Sequence, residues 1–286
     1  MAALKDIKNK IRGVASTRQI TSAMKQMSTA RLGRAMEQKT LTSAYIYKLE
    51  QIVQHIRKQL PETYYHPCIT PRAVKTAGFV IIGGERGLCG GFNVELNRFA
   101  ENVINEETAE NKKLIIIGKK AIKHFTDTGY EKMQYPDLTI RNAGEELFEV
   151  SGSIFKLFKE GTIDSLTLVY TSFISPTRKF VTTSQLLPLD TTEIDAKAEK
   201  PQQKSFDFSP SPTRIFDELI PRFLHNLLFR ALIESSAAEQ SARMISMTSA
   251  TDRAQEIIDE LNLDFNRQRQ ALITRELAEV ISGSEA

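Results

Sequence analysis

Between Ser211 and Gly283 the sequence holds no glycine, and after its first turns only one proline, Pro221. Almost nothing in this stretch would interrupt a helix. Read as helix from about Arg222 to Ser282, it runs roughly 90 Å at 1.5 Å per residue. A single core built from a 286-residue chain is not that wide. The helix is therefore expected to leave the globular body, and a helix outside its domain needs a partner. Its start is well marked: Ser211–Pro212 supplies an N-cap and first helical position, and Asp217 and Glu218 lie near the positive helix end. Pro221 is expected to divide a short lead-in from the main rod.

The first sixty residues supply the partner. Leu4, Ile7, Ile11 and Val14 step by three and four, and Tyr45, Leu49, Ile52 and Ile56 do so again. This is the narrow seam of a coiled coil rather than the wide stripe of a helix on a globular core. Gly13 and Gly33 weaken the pattern, each by about 1 kcal/mol relative to Ala. Pro61 ends it, because proline disfavours helical geometry in the residue before it. Both helices carry runs of small side chains: Ser22, Ala23, Ser28, Thr29, Ala30, Gly33 and Ala35 on one, Ser235–Ala238, Ser241 and Ala242 on the other. Laid antiparallel, these runs let the two axes approach closely. Beyond about Asp252 the C-terminal helix is expected to outlast its partner, with a seam of Ile258, Leu261, Phe265 and Leu272. Its end carries Leu272, Ile273, Leu277, Val280 and Ile281, apolar surface that another molecule should enclose.

From Thr76 to Leu189 the period changes. AGFVIIGG (77–84) and KLIIIG (113–118) read as buried strands, with a helix from about Asn93 to Glu107 between them. Residues 138–161 read as a strand end followed by a helix. Leu166–Ser172 and Lys179–Leu187 read as a closing hairpin turned at Ser175–Pro176–Thr177. The expected fold class is α/β: a small Rossmann-like, mainly parallel domain plus a long antiparallel coiled coil of the N- and C-terminal helices. The expected division is a helix at 1–60, a linker at 61–75, the α/β domain at 76–189, a polar, proline-bearing linker at 190–210 and a helix at 211–286.

Composition excludes several functions. A net charge of +3 does not suit a nucleic-acid binder. The first 39 residues are basic, with Lys5, Lys8, Lys10, Arg12 and Arg18 among others against only Asp6 and Glu37, but no aromatic residue precedes Tyr45 to stack on bases. Two cysteines, Cys68 and Cys89, give neither a disulfide framework nor metal-ligand spacing, which suits a reducing compartment. No apolar run approaches the length of a membrane span. The N-terminus lacks the apolar core of a secretory signal and reads as mature structure in a cytoplasmic protein. GGERGLCGG (83–91) follows a strand and looks like a phosphate cradle, but lacks GxGxxG and the Gly-Lys-Ser/Thr of an ATP loop. A glycine-rich turn is the plainer reading. Cys89 in that loop could act as a nucleophile; an inert buried thiol is the expectation. His55, His66, His124 and His225 are scattered and suggest no catalytic arrangement.

IKNKIRGVASTRQITSAMKQMSTARLGRA (7–35), RGLCGGFN (86–93) and NRQRQALITRELAEVISG (266–283) together resemble the gamma subunit family of F-type ATP synthases. The likeness extends over essentially the whole chain. The closing pattern Ile273-Thr274-x-Glu276-x-x-Glu279-x-x-x-Gly283 is its most specific part. Ser284, Gly84-Glu85 and Gln240 stand where the family usually has Ala, Ser-Asp and His. The cysteine-bearing insertion of chloroplast relatives is missing, so redox control of that kind is not expected. The resemblance implies a rotor subunit that does no bond chemistry and needs no cofactor or metal. It implies one copy per complex, turning inside a ring of three alpha and three beta subunits, with epsilon and the membrane c-ring as further partners. It also implies a place on the cytoplasmic side of a bacterial plasma membrane, touching the bilayer only through the c-ring. By the same resemblance Arg269 and Gln270 engage a beta-subunit loop, with Arg267 and Arg275 as further candidates. Leu277, Val280 and Ile281 sit in an apolar sleeve at the top of the ring, and Met24 and Lys25 lie near the lower beta lobes. Two other readings stay open from the residues: a nucleotide-binding α/β enzyme with a coiled-coil appendage, and a freestanding, homodimeric coiled-coil adaptor.

Overall fold

Four short segments rich in β-branched residues and a fifth, polar one alternate with helices, and a computed structural model shows them joined into one sheet. The structure describes residues 2–61, 64–189 and 211–284, and only the backbone of Ala2, Ala3, Glu279 and 281–284. The linker expected at 190–210 lies outside the described residues. In chain order the elements are α1 (Ala2–Gln59), β1 (Thr76–Ile82), α2 (Phe92–Glu106), β2 (Asn111–Ile117), α3 (Lys119–His124), β3 (Glu131–Tyr135), α4 (Ala143–Lys159), β4 (Ser165–Phe173), β5 (Lys179–Leu187) and a helix at Pro212–Ser284, here α5. They fall into two compact units, Met1–Ala30 with Arg243–Ala286, and Arg31–Ala242.

The larger unit, Arg31–Ala242, holds the sheet. Its strand order is β3-β2-β1-β4-β5, parallel throughout except for the antiparallel pair β4–β5. Alternation along the central strands sends side chains to two cores. Ala77, Phe79, Ile81, Leu114 and Ile116 pack with Leu96, Ala100 and Ile104 of α2 and Ala121 of α3. Val80, Ile82, Ile115, Ile117 and Leu168 face the other way, onto Leu147, Ile154 and Phe158 of α4, Val53 and Ile56 of α1, and Phe223, Leu224 and Leu228 of α5. The two long helices run antiparallel within this unit, since Lys39 pairs with Glu234 at 3.4 Å and Glu50 with Arg230 at 3.8 Å.

The smaller unit contains the first part of α1 and the last part of α5. Here Thr21 and Thr251 share a hydroxyl–hydroxyl bond of 2.8 Å, and the Arg18 guanidinium donates to the Gln255 side-chain oxygen. That register is again antiparallel. Ile7, Thr21 and Ser28 of α1 and Met247, Ala254 and Ile258 of α5 are buried, at the heptad spacing of a coiled-coil seam.

The structure agrees with the expected fold class and corrects the details. In α1 the buried seam is Ile46, Leu49, Val53 and Ile56, whereas Tyr45 and Ile52 are 53% and 43% exposed. Apolar identity alone could not choose between neighbouring positions; continuity with the earlier heptads does. Pairing in the smaller unit continues past Asp252. At the Arg18–Gln255 register the start of α1 falls opposite about Ala271, so α5 outlasts α1 only over its last turns. Pro221 does not divide α5, which is helical through it. The third parallel strand is Glu131–Tyr135, short and polar at the sheet edge, and residues 138–140 belong to the loop after it. Ser211 does cap α5: its hydroxyl accepts the Arg214 N–H at 3.3 Å.

Candidate functional site

In a parallel sheet the loops at the carboxyl ends of the strands, where strand order reverses, form the usual ligand crevice. Here that reversal lies between β1 and β4, the strands that flank the outlet of the glycine-rich loop 83–91. Two of the loop's backbone amides there are taken by side chains of the protein itself. Asn93, in the first turn of α2, accepts the Gly84 N–H at 3.1 Å and donates to the Arg86 carbonyl at 3.3 Å and the Cys89 sulfur at 3.1 Å. Glu239 of α5 accepts the Arg86 N–H at 3.4 Å. Backbone amides that would cradle a phosphate are thus directed at an amide oxygen and a carboxylate. The loop needs Leu88 at φ 61° and Gly90 at φ 58°, and a Cβ at Gly84 would sit 2.5 Å from Asn93 Oδ1.

The neighbouring strand ends dock on α5 in the same way. Thr171 donates its N–H to the Ser235 hydroxyl at 3.0 Å. Ser172 donates its hydroxyl to Glu234 at 2.8 Å, and the Phe173 N–H points to the same carboxylate oxygen at 3.4 Å. Lys39 of α1 closes the group, 3.4 Å from the other Glu234 oxygen and 2.5 Å from the Phe173 carbonyl. Ser241 donates to the Pro176 carbonyl in the β4–β5 turn at 2.8 Å. Glu234, Ser235, Glu239 and Ser241 are all buried. Sequence reading saw small residues here and missed the two carboxylates. The available signal was a pair of acids inside an otherwise apolar and small-residue run.

The cysteines are sealed. Cys89 is 1% exposed and its thiol lies 3.7 Å from the Arg86 carbonyl. Burial pushes the Cys68 thiol up to about 12, against the pull of Arg72, so it stays protonated and inert. Among the described residues no cluster of three or more His, Cys, Asp and Glu could hold a metal ion.

The sequence-predicted contact residues all lie in the smaller unit. Arg267, Arg269, Gln270 and Arg275 are exposed on α5. Leu277 and Val280 follow at 58% and 69% exposure, with Ile273 at 46%. Ile281 lies in the helix, but its side chain is outside what the structure describes. Met24 and Lys25 are half-buried on α1, beside the seam position Thr21. No helix among the described residues is long and apolar enough to cross a membrane.

Comparison with known proteins agrees with this architecture. A family model described as ATP synthase matches residues 3–286. The ATP synthase gamma chain of Heliobacterium modesticaldum is 36% identical over 296 residues, covering 100% of this chain and 99% of the relative. That of Haemophilus influenzae strain PittEE is 34% identical over 289 residues, covering 100% of both. Among solved structures, a chain from the rotor of the Euglena gracilis mitochondrial ATP synthase superposes with a TM-score of 0.61 at 17% identity, covering 95% of this chain and 99% of that one. A chain from the OSCP/F1/c-ring structure of the same synthase reaches 0.64 at 18% identity, covering 100% of this chain and 94% of that one. At such identities the structural likeness speaks for the fold. The sequence match over the full length carries the assignment: this chain belongs to the ATP synthase gamma chain family.

Proposed function

We propose that the chain is the central-stalk subunit of an F1Fo ATP synthase and turns as a shaft within a ring of alpha and beta subunits. It carries torque between a membrane c-ring and the catalytic sites of the beta subunits and does no bond chemistry itself. The observation that carries this reading is the end of α5. Past the point where α1 begins, Ile273, Leu277 and Val280 stay exposed along α5 among the described residues. Apolar surface left in this position asks for an enclosing protein.

The finer assignments follow. Leu277, Val280 and Ile281 form the apolar bearing, and Arg269 and Gln270, with Arg267 and Arg275, make polar contacts to a beta-subunit loop. Met24 and Lys25 lie where the shaft meets the lower beta lobes. Torque acts as a population shift: each shaft angle presents a different face to each beta subunit and favours one of its conformations by differential contact. The helices at 1–60 and 211–286 serve as shaft, and the 76–189 domain, with epsilon, as the seat on the c-ring. The complex is placed at a bacterial plasma membrane on the cytoplasmic side.

A nucleotide-binding enzyme would need an open loop at 83–91, and Asn93 and Glu239 occupy it. The test uses the full chain. Equilibrium dialysis should detect no nucleotide bound, and ATP hydrolysis should appear only after alpha and beta subunits are added. Hydrolysis by the chain alone, or failure to join an alpha–beta ring, would sink the proposal.

A further inference from the structure

The sheet of the larger unit is attached to α5 by two kinds of contact. The first is apolar: Phe223, Leu224 and Leu228 pack under the sheet. Such contacts are non-directional, and a helix can turn or slide on them at little cost. The second is the buried polar stripe about two to four turns further along α5, where each bond has a required direction and distance. Directional bonds set the angle of a helix about its own axis; apolar packing alone does not.

We propose that Glu239 is a positioning residue that holds the glycine-rich loop, and with it the open end of the sheet, at one angle on α5. Glu239 is 6% exposed. Its carboxylate accepts the Arg86 N–H, and its Cδ lies 3.3 Å from where a Gly84 Cβ would be. The loop has been stripped of side-chain bulk at the point where this carboxylate enters. Its backbone is held in an unusual conformation there, with Leu88 in the left-handed region, and such a backbone persists only when its surroundings over-determine it. Asn93 supplies one side of that constraint and Glu239 the other. Glu234, Ser235 and Ser241 repeat the arrangement at β4 and the β4–β5 turn. The stripe therefore works as a spline, tying the sheet to α5 against relative rotation. Its importance for coupling rests on the shaft reading; its existence as a clamp does not.

The experiment separates the two. Amide hydrogen exchange on the full chain reads the clamp without any partner. Glu239→Ala should raise exchange at the Arg86 amide by about ten-fold or more, the effect of losing a hydrogen bond to a charged acceptor. Glu239→Gln, which keeps an acceptor oxygen of the same reach, should raise it less. Unchanged exchange in Glu239→Ala overturns the proposal. In the assembled synthase reconstituted into vesicles, Glu239→Ala should leave ATP hydrolysis running while fewer protons are pumped per ATP. A merely structural role would lower both in proportion. If Glu239→Ala does not assemble, Ser241→Ala removes one hydroxyl of the same stripe and must lower the pumping ratio; an unchanged ratio there also overturns it. A parent complex that neither hydrolyses nor pumps would count against the shaft reading, with the exchange result still standing.

Discussion

Gly118 and Gly13 look alike in the sequence and differ in the structure. Gly118 follows β2 at φ 96°, and a Cβ there would fall 2.4 Å from the Gly83 carbonyl oxygen. That oxygen belongs to rigid backbone at the end of β1, so nothing can yield cheaply. Gly118→Ala is expected to cost about 3 kcal/mol or more, combining the left-handed conformation with overpacking. Gly13 lies exposed on α1 with nothing within 4 Å of a Cβ. Gly13→Ala should instead stabilise by about 0.5–1 kcal/mol, because glycine in a helix loses more chain entropy on folding. Urea midpoints of the two variants against the parent check both signs. The sequence marks Gly13 and Gly33 as weak points of α1, which runs unbroken through both, and presents the glycines of 83–91 only as a turn with a likeness to a phosphate loop. Which of them is indispensable depends on what approaches from α3, α5 and Asn93, and no local pattern carries that.

Elements were legible in proportion to how far their own composition decides them. The two long helices are readable because almost nothing in them opposes helix; Pro61 is expected to stop α1 after Leu60, and the helix ends one residue earlier, at Gln59. β1 and β2 were readable as continuous apolar runs. β3, Glu-Lys-Met-Gln-Tyr, was not, since an edge strand is only half covered and its polar residues carry no strand signal. The segment after α1 was read as linker, yet part of it is a latch on the start of α5. His66 Nδ1 accepts the Cys68 N–H at 3.1 Å, the Cys68 carbonyl accepts the Leu189 N–H at 2.6 Å, and the His66 ring stands edge-on to Phe216 at 5.6 Å. Tyr64 donates to Asp217 at 2.5 Å, and the second His66 nitrogen lies 3.5 Å from the same carboxylate. Burial holds the imidazole below its ordinary value of 6.5; Asp217 opposes that shift and Lys159 adds to it. The unfolded chain therefore takes up this proton first as pH falls. Stability from this group is complete above 6.5 and declines as pH drops from there toward the lower folded value. His225, also lowered by burial, slopes the same way. Protonation at Nδ1 would in addition cost the bond from Cys68. The urea midpoint should fall between about pH 7.5 and 5.5, and His66→Gln should flatten that fall in part. An equal fall in the variant would remove His66 from the account.

At the level of the whole molecule, stability and the proposed function draw on different parts of α5. The helix is anchored by buried residues up to Ile258, whereas Leu263, Ile273, Leu277 and Val280 are exposed apolar surface among the described residues. A residue 58% or 69% exposed loses little when made polar, and such surface changes usually stay within about 0.5 kcal/mol. The double variant Leu277→Asp, Val280→Asp should therefore melt with the parent when the chain is alone. In a surrounding ring the same two carboxylates would have to enter an apolar sleeve, where burying a charge without a partner is strongly unfavourable. Assembly with alpha and beta subunits, followed by size-exclusion chromatography and by the hydrolysis rate per assembled complex, should fall well below the parent. Arg269→Ala, which would remove the proposed polar contact to a beta subunit and buries nothing, should lower the rate and spare assembly. A double variant that melts lower on its own would mean that the end of α5 folds back on this chain, and the bearing assigned to it would have no basis.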